Sequence, residues 1–178
     1  MKADFKELVL TATNKEAVHR LADELCATPE GMRTVIELIG HEDITVVKRA
    51  AWVFNHGGSR YPEHVPDLVP TLLPLLDRSR HPSVRRGIVS VLQYSDPHEE
   101  ELGSIVDRCF RYLADPVEHT AVRSFSCDVL WRACLREPDL MSELEETAKM
   151  VLPHAKPSLR FRARKAIQRI ERYRKSRK

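Results

Sequence analysis

One short pattern recurs through the chain and constrains the fold more than any other feature. In residues 84–91 an apolar residue precedes a basic one, and apolar or small residues return four and seven positions after the first. Comparable segments begin at Val18, Val47, Val122 and Leu159, so that the intervals between first positions, counted through Val84, are 29, 37, 38 and 37 residues. A near-constant period in this range is the sequence signature of stacked structural repeats.

The spacing within the pattern predicts helices. Positions i, i+4 and i+7 share one face of an α-helix, and the middle position is small at Ala22, Ala51, Ser126 and Ala163, which allows a second helix to approach closely. Four intervening segments, residues 30–39, 65–76, 102–113 and 140–152, carry apolar residues at helical spacing as well. One apolar stripe cannot bury itself, so we expect helix–turn–helix units stacked side by side.

Specific motifs support this interpretation. They are His-Pro-Ser-Val-Arg at 81–85, Lys-Pro-Ser-Leu-Arg at 156–160 and the proline- and leucine-rich segment 66–76. On these residues the chain resembles the HEAT and armadillo-like family of α-solenoids over roughly residues 14–172. The resemblance implies an all-α fold, a right-handed α–α superhelix of about five helical hairpins. It also implies that the second helix of each hairpin lines the concave face.

Glycine and proline residues refine the predicted helix bounds. The helix that contains Val47 is expected to end at the Asn-His-Gly-Gly segment 55–58 with a glycine cap. Pro70 and Pro74 predict a bent or interrupted element, because an interior proline removes a backbone hydrogen bond. The basic residue that follows each first position is expected to hold carboxylates of the neighbouring unit.

Length and composition predict a single repeat domain over residues 1–178 that ends in a basic helix at 157–178. No run approaches the ~18 apolar residues of a membrane span, and the amino terminus has no apolar signal core, so we expect a cytoplasmic protein without membrane contact. The four cysteines form no Cys-x-x-Cys pair and are interpreted as reduced, buried thiols.

The face opposite the buried stripe is the predicted partner-binding ridge. The side chains assigned to it are Arg49, His56, Arg86, Gln93, Asp128, Trp131 and Lys165. Large aromatic residues outside the core can anchor a partner, which favours binding at Trp131. A solvated polar face is the alternative interpretation of the same residues.

Charge is concentrated at the carboxyl end. From Lys156 onward there are 11 basic residues and one acid, a net charge of +10, whereas the whole chain carries +3. In the predicted last helix the candidate anion-binding residues are Arg162, Arg169 and Arg172. Such asymmetry is typical of a nucleic-acid or anionic contact, and it also fits a polar cap or an intramolecular partner for the acidic remainder.

Reactive motifs are weak throughout the sequence. There is no Gly-x-Ser-x-Gly elbow, no phosphate-binding glycine loop and no closed zinc spacing, so we predict no enzyme activity, no cofactor and no metal. The leading hypothesis is a scaffold that binds another protein or a peptide.

Nucleic acid is the alternative partner. The chain is distantly similar to HEAT-like alkylpurine DNA glycosylases, which use aromatic and acidic residues in a basic groove. That resemblance implies that Asp128 and Trp131 are the acidic and aromatic residues. It also implies that Arg49, Arg86 and Lys165 form the basic groove. The sequence leaves the oligomeric state open.

Overall fold

The computed structural model describes residues 2–78 and 81–177, with side chains from Phe5 onward. These residues form ten α-helices and three short 3-10 helices and contain no strand, which confirms the all-α prediction. They divide into two compact units, residues 1–101 and residues 102–178. A single domain over the whole chain stays a prediction.

The first unit contains three helical hairpins in two layers. The first helices are packed α1 against α3 and α3 against α5, whereas the second helices are packed α2 against α4 and α4 against α6. Two short 3-10 helices, Pro62–His64 and Pro66–Leu68, connect α4 to α5. The helices are α1 (Lys2–Leu10), α2 (Lys15–Cys26), α3 (Pro29–Ile39), α4 (Ile44–Arg60), α5 (Val69–Arg78) and α6 (Pro82–Leu92).

The second unit is also helical. Its second helices, α8 and α10, pack against each other, and α9 packs against both. The Arg123 side chain of α8 donates from Nε to the carbonyl oxygen of Leu113 in α7, at 3.1 Å. The helices are α7 (Glu99–Ala114), α8 (Thr120–Arg136), α9 (Leu140–Val151) and α10 (Pro157–Ser176).

Local signals fix where the helices begin. The side chains of Asn14, Thr28 and Asp43 accept backbone N–H groups at the first turns of α2, α3 and α4. Histidine does the same at α6 and α8, where the Nδ1 atoms of His81 and His119 each accept a backbone N–H at 3.2 Å. Proline also occupies the first turn of α3, α6 and α10. Backbone N–H groups in a first turn have no acceptor within the helix, so proline, which lacks the N–H, costs no hydrogen bond there.

The recurring pattern supplies the core, as predicted. All three patterned positions are buried in each of the five segments, for example Val84, Ile88 and Val91 in α6. Burial at i, i+4 and i+7 gives each of α2, α4, α6, α8 and α10 its own buried stripe, which is apolar except at Ser126 of α8. Removal of these stripes from water is the main favourable contribution to folding.

The predicted end of α4 at residues 55–58 is wrong. The helix continues to Arg60, with Gly57 and Gly58 buried inside it. A Cβ atom on Gly57 would overlap the Cβ and Sγ atoms of Cys26 in α2, and one on Gly58 would lie 2.6 Å from Cγ1 of Val91 in α6. These glycines therefore permit close helix packing rather than helix termination.

The prolines of α5 are accommodated without a break in that helix. The interrupted backbone lies before Val69, in the 3-10 helix Pro66–Leu68, and α5 then continues through Pro74. Among the described residues, the basic residue of the pattern binds a backbone carbonyl in two of the five segments. Arg123 binds the carbonyl of Leu113 and Arg85 that of Leu76, both in the last turns of preceding helices, where carbonyls lack helical partners.

Candidate partner-binding surface

A groove of about 350 Å³ lies where α4 meets α6 in the first unit. The helices approach closely at Gly87, because a Cβ atom there would lie only 3.2 Å from the carbonyl oxygen of Ala51. Larger side chains on either side of this contact form the walls. The lining residues are Lys48, Ala51, Trp52, Asn55, His81, Ser83 and Arg86.

The groove is positively charged and has no acid in its lining. Lys48 and Arg86 are exposed, and neither has a hydrogen bond or ion pair among the described residues. The pKa of His81 lies below its ordinary value, mainly because the ring is partly buried and then because Lys48 and Arg86 are close. At neutral pH the imidazole is therefore uncharged, and the groove presents two cations beside the half-buried indole of Trp52.

The corresponding junction in the second unit, between α8 and α10, has its charges paired. Asp128 of α8 forms ion pairs with Arg162 and Arg169 of α10, the latter at 3.5 Å. The Arg162 guanidinium lies 4.9 Å from the ring centre of Phe125, and that of Arg169 lies 5.5 Å from the Trp131 ring. Four predicted site residues thus meet in one cluster, in which the carboxylate is neutralised and the cations cover the aromatic rings.

One face of α10 carries several exposed cations. Phe161 is 65% exposed, and the Nζ atom of Lys165 lies 5.8 Å from its ring centre. Arg172, another predicted site residue, is also exposed. The side chains on this face are Pro157, Arg160, Phe161, Arg164, Lys165, Gln168, Arg172 and Arg169, the last of which pairs with Asp128.

Two histidines meet between α2 and α4. The ring centres of His19 and His56 lie 4.4 Å apart beside a cavity of about 220 Å³. The pKa of His56 is below its ordinary value, first because of burial and then because of His19 and Lys15. Arg60, on the wall of the same cavity, pairs with Asp23 at 2.9 Å.

Two of the predicted ridge residues are engaged inside the first unit. Arg49 donates from Nη1 to the carbonyl oxygen of Ala12, and Gln93 donates to the carbonyl oxygen of Ser90 at 2.7 Å. Val53, Ser90 and Ser124 lie two or six residues after a first patterned position, as several predicted ridge residues do, and all three are buried. These positions of the second helices are therefore not accessible to a partner.

The sequence pattern did not identify the groove between α4 and α6. Among its residues only Arg86 is predicted to belong to the ridge, whereas Lys48, which follows the first patterned position Val47, is expected to hold a carboxylate. The small residues Ala51 and Gly87 are the sequence signal that could have indicated the groove. Their close contact brings α4 and α6 together, so the flanking cations share one surface.

Three further observations on the described residues concern metal-binding clusters, reactive thiols and membrane-spanning helices. They hold no group of three or more His, Cys, Asp or Glu side chains able to hold a metal. Burial raises the pKa of the Cys109 and Cys127 thiols to about 12, so both are unreactive at neutral pH. No helix in the described part of the chain is both long and apolar enough to cross a membrane.

Comparison with known proteins agrees with this architecture. The crystal structure of an engineered protein, 20% identical in sequence, superimposes with a TM-score of 0.58 over 93% of this chain and 78% of the other, a likeness of fold alone. No curated protein matches the sequence. The family model described as HEAT repeat domain matches residues 5–170. The chain belongs to the HEAT repeat family.

Proposed function

We propose that this chain is a non-enzymatic interaction module that binds another protein on the exposed side chains of its second helices. HEAT repeats commonly mediate such interactions. The observation that carries the proposal is the groove between α4 and α6, where two unpaired cations flank a half-buried indole. Tryptophan and arginine are the residues most enriched at the energetic centres of protein interfaces.

The proposal extends to organisation and location. It treats residues 1–178 as one repeat domain, and among the predicted ridge residues it assigns partner contact to Arg86 and Lys165, which are exposed. A cytoplasmic location is part of the proposal. All four cysteines are free and buried, which fits a reducing compartment.

Photo-crosslinking in cells tests the binding face. A photoreactive phenylalanine analogue replaces Arg20 in α2 or Phe161 in α10, which are exposed on second helices. Matched controls on first helices are Arg33 in α3 and Met150 in α9, also exposed. We expect protein crosslinks mainly from the second-helix positions. Equal yields from both layers, or crosslinks only from first helices, would contradict the proposal.

A second candidate function is nucleic-acid binding, which the exposed cations of α10 favour. The exposed Phe161 among them offers a ring on which a base can stack. Electrostatic binding of this kind weakens steeply with salt. Titration with duplex and single-stranded DNA at low and physiological salt tests this function, and absence of binding at low salt removes it.

A further inference from the structure

We propose that the groove between α4 and α6 binds a carboxylate side chain from an acidic peptide segment of the partner. This inference rests on the proposed function and specifies the chemistry of the partner. Its basis is the combination of two unpaired cations, an aromatic wall and the Asn55 amide within one groove of about 350 Å³.

Charge is the first argument. Lys48 and Arg86 extend from different helices toward the same space, and their influence on His81 shows that both lie near that ring. Two cations held together without an acid repel each other, so an incoming carboxylate gains attraction from both. A hydrogen bond to an ionised group is roughly twice as strong as one between neutral groups.

The walls specify what accompanies the carboxylate. The indole of Trp52 and the methyl group of Ala51 give an apolar side, which suits the methylene groups of a glutamate or a neighbouring apolar side chain. The Asn55 amide has no hydrogen-bond partner among the described residues and is available to the peptide backbone. The groove therefore fits glutamate or aspartate beside an apolar residue.

The surrounding unit favours a peptide over nucleic acid. Residues 1–101 contain 12 Lys and Arg against 16 Asp and Glu, a net charge of −4. A polyanion gains affinity from a row of cations along its backbone, whereas this groove offers two cations in an otherwise acidic unit. A single carboxylate matches that local charge and meets less repulsion than a long polyanion.

The test begins with an unbiased peptide selection. A display library of random ten-residue peptides is selected against the full chain, and enriched sequences are synthesised with each acid in turn replaced by its amide. We expect enrichment of glutamate or aspartate next to an apolar residue. Binding of the amide version is expected to be at least about tenfold weaker, the effect of one charge-assisted hydrogen bond.

Variants assign the effect to the groove. The double variant Lys48→Gln/Arg86→Gln is expected to lose about tenfold or more in affinity for the acidic peptide. Arg33→Gln, a charge change at an exposed position of α3, serves as the control and is expected to bind normally. Circular dichroism and thermal unfolding of each variant verify that the fold is retained.

Several outcomes would overturn the inference. They are a selection without acid enrichment, equal affinity for acid and amide peptides, or equal losses in the groove and control variants. A phosphoserine peptide that binds far more tightly than glutamate would replace carboxylate with phosphate as the occupant. DNA binding at physiological salt that requires Lys48 and Arg86 would replace the peptide altogether.

The two levels of the argument fail separately. If second-helix crosslinks to a protein form but the groove variants bind peptides normally, the carboxylate assignment is wrong and the interaction module stands. If crosslinks show no preference for second helices, the proposed function itself fails.

Discussion

The junction between α4 and α6 and the junction between α8 and α10 are built on the same repeat register but carry opposite surfaces. In the first, the helices meet at Gly87 and Ala51, and the cations beside the contact have no acidic partner. In the second, Asp128 pairs with two arginines that cover aromatic rings. The register thus determines helix packing, whereas the residues beside the buried stripe determine whether charge is neutralised internally or available to a partner.

The two junctions also differ at corresponding positions of the repeat register. The sixth residue after the first patterned position is Asp128 in α8 but Val53 in α4, and Val53 is fully buried. An acid in α8 attracts the arginines of the next second helix, whereas valine in α4 contributes only to packing. The register positions of Arg162 and Arg169 are occupied by Gly87 and Tyr94 when counted from Val84, so the junction between α4 and α6 has neither the acid nor the arginines of this cluster.

The largest effect is expected where the first unit depends on glycine. Gly57→Ala places a methyl group onto Cys26, so α2 and α4 must separate, and the free energy of unfolding should fall by about 1–3 kcal/mol. Gly103→Ala, in the second unit, has nothing within 4 Å of the new methyl and should instead stabilise by about 0.5–1 kcal/mol. Chemical denaturation of both variants measures the contrast, and equal effects would refute the packing role of Gly57.

Next in size is the loss of the carboxylate in the second unit. Asp128→Asn leaves Arg162 and Arg169 without their acid, and because the cluster is only partly buried we expect a loss of about 1–2 kcal/mol. Asp107→Asn, an exposed position of α7, is the matched control with little expected change. Urea denaturation compares the two variants. Stability of Asp128→Asn equal to that of the control would show that the ion pairs contribute nothing.

A smaller effect concerns pH and the histidine pair. The pKa of His56 is lowered in the folded chain, so the unfolded chain binds its proton more readily. The resulting stability is present above the unfolded pKa of about 6.5 and decreases as the pH falls through that value toward the folded pKa. Denaturation at pH 7.5 and pH 5.5 should show a weaker acid dependence for His56→Gln than for the wild type, with the substitution of an exposed histidine, His154→Gln, as the control. An unchanged dependence in His56→Gln would contradict this.

The smallest effect on stability is expected at the groove itself. Lys48→Gln/Arg86→Gln removes two exposed cations that have no internal partner, so the free energy of unfolding should stay within about 0.5 kcal/mol of the wild type. Thermal unfolding checks this prediction. A large decrease in stability would show that these cations stabilise the fold and are not available to a partner.

The sequence predicted what depends on local periodicity. The stripes that begin at Val18, Val47, Val84, Val122 and Leu159 are buried as expected, because their burial follows from helical spacing alone. The family model over residues 5–170 confirms the HEAT resemblance. Helix starts at Asn14 and Asp43 were also recognisable, since capping acts within a few residues.

What the sequence could not predict depends on distant neighbours. The sequence predicts a helix end at Gly57 and Gly58. The actual requirement for glycine is the close contact with Cys26 and Val91, which lie far away in the sequence. Arg49 was assigned to a binding ridge, but its partner is a carbonyl 37 residues away in the chain. The groove beside Trp52 was missed for the same reason, since its second wall belongs to another helix.

The two tryptophans allow one direct measurement of the central claim, because Trp52 lies in the unpaired groove and Trp131 in the neutralised cluster. Their indole N–H signals are followed by nuclear magnetic resonance while the selected acidic peptide is added, with Trp131→Phe to assign them. The account predicts a saturable shift of the Trp52 signal and a stationary Trp131 signal. Movement of Trp131 alone, or of neither signal, would contradict it.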